Sequence, residues 1–95
     1  MNEGQTFHSV WDALESSPSE AANMRLRSEL MIAIQQLVEH WSTTQSEASR
    51  RLGITQPRLN ELIKGRINNF SLDALVNIAA TAGLAIRLQV ERDAA

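Results

Sequence analysis

QSEASRRLGITQPRLNELIKG, residues 45–65, holds two short helical patterns hinged at the LGIT of residues 52–55. Each half carries its own start signal. Thr44 precedes the first and Glu47 follows three residues later, the spacing of a capping box. Thr55 caps the second, with Pro57 in its first turn, where a missing N–H costs nothing. Gly53 and Gly65 stop the two halves, because glycine enters the left-handed region without strain. Ala48, Leu52, Ile54, Leu59, Leu62 and Ile63 are spaced to face inward. Gln56, Arg58 and Asn60 fall on the other side of the second helix.

Upstream, Ser17, Pro18 and Glu20 form another start signal, and an apolar stripe of Met24, Ile34, Leu37, Val38 and Trp41 follows. Leu26, Leu30 and Met31 widen that stripe. The spacing predicts a long helix over about residues 18–41, with Trp41 in the core. Before it, Phe7, Val10, Trp11 and Leu14 lie at i, i+3, i+4 and i+7 and predict a short packing helix. RINNF, residues 66–70, reads as a loop. Ser71 then caps a helix with Leu72, Leu75, Val76 and Ala79 on one face and Gly83 as its stop.

The period changes at the end. Leu84, Ile86, Leu88 and Val90 alternate with Ala85, Arg87, Gln89 and Glu91, which predicts a strand. A lone strand cannot pair its own backbone groups or cover its apolar side. Two copies pairing antiparallel about a two-fold axis would do both, so a homodimer through Leu84, Ile86, Leu88 and Val90 is expected. The expected fold is all-α: five helices in a lambda-repressor-like helix-turn-helix arrangement, plus a C-terminal β-strand that pairs in the dimer. Residues 1–16 form the short helix and lead-in, 17–83 the helix-turn-helix domain, and 84–95 the dimerisation strand and tail.

The chain has 95 residues and a net charge of −2, with 43% apolar residues, enough for one small core. The charge is unevenly spread. Residues 1–40 carry six acids and two bases (−4), residues 41–70 two acids and five bases (+3), and residues 71–95 three acids and two bases (−1). The positive charge therefore sits on the 45–65 stretch and just after it, as a local phosphate-binding face requires. There is no cysteine, hence no disulfide and no thiolate metal site. No apolar run reaches the ~20 residues of a membrane span. MNEGQTFHSV lacks the basic region and apolar core of a signal peptide, so a cytoplasmic protein is expected.

A short helix, a turn with glycine and a second short helix make a helix-turn-helix, in which the first helix braces the second against the major groove of DNA. The second must then present side chains that read base edges. Arg58 suits guanine O6/N7, and Gln56 or Asn60 suits adenine N6/N7. Thr55, Lys64 and Arg66 can reach phosphates, which sets register but not sequence preference. A dimer would recognise a pseudo-palindromic double-stranded site.

The segment resembles the Cro/C1-type (XRE) helix-turn-helix family. Gln45 stands at the family's opening Gln, Ala48 among its small inward residues, Gly53 at its turn glycine, and Leu59 and Leu62 at its buried positions. Ser49 departs from the Ala of many members but is small enough to pack. The resemblance implies that Gln45 buttresses Gln56 and joins the DNA-binding set. Through FSLDALVNIAATAGLAIRLQV, residues 70–90, the layout is similar to small HigA-like antitoxins. That likeness implies autorepression and a RelE/HigB-like toxin as protein partner.

Other chemistry has less to stand on. Glu47 lies three and four residues before Arg50 and Arg51, the spacing of surface ion pairs. Glu61 can accept from a cytosine amine, but Arg58 and Lys64 are three residues away on its own helix. His8 and His40 are isolated, with no metal-ligand cluster. No phosphate loop or nucleophile elbow occurs, and Asp12, Glu15 and Asp73 form no acid–base pair. No enzyme and no cofactor is expected. Two alternatives stay open: a stand-alone XRE-type repressor without a toxin partner, or a protein-interaction module that uses the motif only for packing.

Overall fold

The structure is a computed structural model, and it describes residues 17–92. The described residues hold four α-helices and one short 3-10 helix: α1 (Pro18–Trp41), α2 (Gln45–Leu52), α3 (Gln56–Ile63), the 3-10 turn (Ile67–Asn69) and α4 (Leu72–Thr81). The helix expected around Phe7–Leu14 lies outside the described residues.

Local chemistry sets the ends of these helices. The hydroxyls of Ser17, Thr44, Thr55 and Ser71 each accept the N–H three residues on, at 3.1–3.3 Å. Each satisfies one of the donors that a helix start leaves unpaired. Three ends share one solution. After α2, Gly53 N–H donates to Arg50 O and Ile54 N–H to Ser49 O. After α3, Gly65 donates to Leu62 O and Arg66 to Glu61 O. After α4, Gly83 donates to Ala80 O and Leu84 to Ala79 O. This paired closure is the Schellman motif. Gly53 has φ of 72°, and a Cβ there would also meet the Thr81 methyl at 3.4 Å.

The core is small and drawn from every helix. Met31 and Ile34 come from α1, Ala48 and Leu52 from α2, Leu59 and Leu62 from α3, and Leu75, Ile78 and Ala79 from α4. Phe70 plugs the centre from the α3–α4 connection. α1 packs along α4, and α2 bridges α3 and α4. Each fully buried Leu, Ile or Phe contributes about 1.5–3 kcal/mol, so a core this compact depends on all of its members. Ser49 is the buried polar residue, and its hydroxyl donates to Ser46 O at 2.9 Å.

Several expectations need correction. Residues 84–92 form no strand, and the described residues contain none. Alternation gives a segment two faces, but a strand exists only against a partner edge; within one chain, no described segment provides one. Leu84 packs on the core, while Ile86, Leu88 and Val90 are exposed, the last two at 79% and 80%. Ile63, expected inward, is exposed, because Leu59 and Leu62 already fill the line of contact. Trp41 sits at the edge of the core rather than within it, with the Arg51 guanidinium 5.0 Å from its ring centroid. RINNF, read as a loop, contains the 3-10 turn and ends in the buried Phe70.

Candidate nucleic-acid interface

α2, the Gly53 turn and α3 form the helix-turn-helix expected from residues 45–65. α3 is anchored by Leu59 and Leu62, both fully buried. Those anchors leave Gln56, Asn60 and Lys64 exposed at four-residue spacing, one line along its outer surface.

Both ends of α3 are held. Thr55 Oγ1 accepts from Arg58 N–H at 3.3 Å at the start. At the far end, Gln35 of α1 donates from Nε2 to Leu62 O at 2.8 Å. The connection behind it is held as well. Arg27 of α1 donates from Nη1 to Ile67 O and Phe70 O, both at 3.3 Å, and from Nε to Asn23 Oδ1 at 2.7 Å. Arg27 and Gln35 escaped sequence reasoning. Their partners on α3 and the α3–α4 connection lie 27 to 43 residues away, so no local pattern announces these contacts.

Arg58 is the most constrained of the expected readers. Its guanidinium carbon lies 3.9 Å from the Phe70 ring centroid. Nη1 donates to Asn69 O at 2.7 Å and to Glu61 Oε1 at 3.4 Å. Glu61 Oε2 accepts in turn from Asn69 Nδ2 at 3.1 Å. Glu61 thus pairs with Arg58, as the helical spacing suggested, and the pair extends into the α3–α4 connection.

The remaining expected residues are distributed as follows. Gln45 opens α2 and is exposed, as is Gln56. No hydrogen bond joins the two side chains in this chain; exposed amides have water to satisfy them. Thr55 serves as a helix cap. Lys64 and Arg66 are exposed at the C-terminal end of α3. Arg50 and Arg51 are engaged with Glu47: Arg50 donates from Nε to Oε1 at 2.9 Å and from Nη2 to Oε2, and Arg51 from Nε to Oε2 at 2.9 Å. These bonds, Arg50's first and then Arg51's, hold the Glu47 carboxyl down from 4.5 to about 2.

Among the described residues, no group of His, Cys, Asp and Glu could hold a metal ion, and no helix is long and apolar enough to cross a membrane. A family model described as a helix-turn-helix domain matches residues 13–91 of the chain. No curated protein matches it. The chain belongs to that helix-turn-helix family.

Proposed function

We propose that this helix-turn-helix protein is a sequence-specific DNA-binding transcriptional regulator. One observation carries the proposal: α3 is capped at its start by Thr55 and tied at its far end to α1 through Gln35, yet its Gln56–Asn60–Lys64 line is left free. A helix built only for packing has no use for an exposed line of two amides and a lysine. Gln56 and Asn60 offer amides suited to adenine, Arg58 a guanidinium suited to guanine, and Lys64 and Arg66 charges for phosphate. Thr55 stands at the start of α3, and the likeness to the Cro/C1-type motif adds Gln45 to the proposed DNA-binding set.

The regulator acts as a homodimer on a pseudo-palindromic site, with its two recognition helices about 34 Å apart. Ile86, Leu88 and Val90 support that reading, because they leave apolar surface that a second copy would cover. The narrower proposal is an autorepressing antitoxin with a RelE/HigB-like toxin as partner, in the cytoplasm. It rests on the likeness in layout of residues 70–90 and on the acidic first 40 residues, net −4, which suit a basic partner. If it holds, deleting residues 1–16 weakens toxin binding more than DNA binding.

The test of the core proposal is selection of duplex sites by the purified protein, followed by titration on the winning site and on random duplex. A regulator binds the selected site far more tightly. Equal affinity for both rejects the proposal and leaves a protein-interaction module. Co-purification with the product of the adjacent reading frame tests the antitoxin role separately.

A further inference from the structure

Glu61 poses a problem for a DNA-facing helix. Its carboxylate lies one turn from Arg58 on α3 and is partly exposed, at 41% for the side chain. Beside phosphates such a charge is repulsive, so it costs affinity unless it does something else. What it does here is visible. Glu61 Oε1 meets Arg58 Nη1, Glu61 Oε2 is braced by Asn69 Nδ2, and Asn69 O takes the same Arg58 Nη1. Phe70 covers one face of the guanidinium.

Together these contacts use one nitrogen and one face of Arg58. Among the described residues, Nε and Nη2 make no hydrogen bond. That edge carries two parallel N–H donors, the fork that fits guanine O6 and N7. Arg58 also lies in the first turn of α3, the end from which recognition helices contact bases. A free arginine loses rotamer entropy when it binds, and a wrong base can be met by another rotamer. An arginine already stacked and bonded through Nη1 has little freedom to do so.

We propose that Glu61 and Asn69 are positioning residues for base recognition: they hold Arg58 so that its Nε/Nη2 edge is presented ready-formed to a guanine. The inference rests on the DNA-binding reading above and deepens it by naming what sets selectivity at one base pair. Glu61 acts through Arg58 and does not itself read a base.

The experiment compares wild type, Arg58→Ala, Glu61→Ala, Glu61→Gln, Asn69→Ala and the Arg58→Ala/Glu61→Ala double variant. Each is titrated against the selected site and its single-base variants, with thermal melting as the folding control. Glu61→Ala is expected to reduce discrimination roughly tenfold at the same base pair that Arg58→Ala affects, within the range of one bidentate contact. The double variant is expected to discriminate no worse than Arg58→Ala alone. Asn69→Ala keeps the backbone acceptor and removes only the brace on Glu61, so it gives a smaller loss at the same position. Should Glu61→Ala unfold the domain, Glu61→Gln and Asn69→Ala carry the test. Uniform tightening on all sequences, or a changed preference at a different base pair, overturns the inference and leaves Glu61 a surface acid or a direct reader. Wild type without any preference rejects the DNA-binding reading itself, and the inference with it.

Discussion

The side-chain amide of Gln35, in the C-terminal half of α1, donates to the backbone carbonyl of Leu62, in the last turn of α3, at 2.8 Å. The longest helix thereby holds the C-terminal end of the helix that carries the polar face. Leu62 O also accepts from Gly65 N–H, so removing Gln35 leaves the carbonyl partly satisfied. Gln35→Ala is expected to cost about 1 kcal/mol, read as a lower urea midpoint at unchanged slope. DNA affinity should fall alike for all sequences, because the helix loosens without losing a reading group. A base-specific change would assign Gln35 a different role.

Arg58→Lys separates charge from shape. Lysine keeps the positive charge but lacks the planar fork that stacks on Phe70 and matches guanine. Stability is expected to drop by about 0.5–1 kcal/mol from the lost stacking. Preference at one base pair is expected to relax by about 1–3 kcal/mol, with little change in salt dependence. If lysine supported full discrimination, Arg58 would be acting as a phosphate charge.

Lys64→Ala should behave in the opposite way. The side chain is exposed at the end of α3 and pairs with no acid among the described residues. Its loss is expected to weaken every duplex equally and to flatten the slope of log affinity against log salt by about one. Titrations at four or more salt concentrations would measure it. An unchanged slope would remove Lys64 from the phosphate-contacting set.

Glu47 gives a pH signature. Its carboxyl is held down from 4.5 to about 2, first by Arg50 and then by Arg51. A depressed folded value means that the folded state binds fewer protons than the unfolded chain in this window. The stabilisation is therefore complete above about 4.5 and is lost as pH falls toward about 2. Wild type should melt slightly above Glu47→Gln at neutral pH, and the gap should close across that window. The gap is small because the pair is exposed and solvent screens it. A gap that stayed constant down to the bottom of the window would place the effect in helix packing, not in the charge.

Truncation after Ala85 probes the dimer. It leaves Leu84, which packs on the core and whose N–H closes the end of α4, and removes Ile86, Leu88 and Val90. A folded monomer with weaker binding to a two-half-site duplex is the expected result, and sedimentation reads it directly. A truncated chain that still sediments as a dimer would move the interface elsewhere.

The bounds of α1, α2 and α3 and the roles of Ser17, Thr44, Thr55, Ser71, Gly53, Gly65 and Gly83 were legible in the sequence. Caps and stops act on groups within a few residues, so local residue type carries the information. The inward places of Ala48, Leu52, Leu59 and Leu62 were legible for a similar reason, since helical period sorts them. Tertiary structure decided the rest. Phe70 became core because a 3-10 turn aimed it inward, and Ile63 was left outside because two leucines had filled the contact. Arg27 and Gln35 acquired their roles only when α1 folded across the α3–α4 connection. Arg58 looked like a free side chain on an outer face, and the fold brought Phe70 and Asn69 beneath it. The alternation at Leu84–Val90 named two faces but no neighbour. A strand is a property of two edges, and one chain's sequence specifies only one of them.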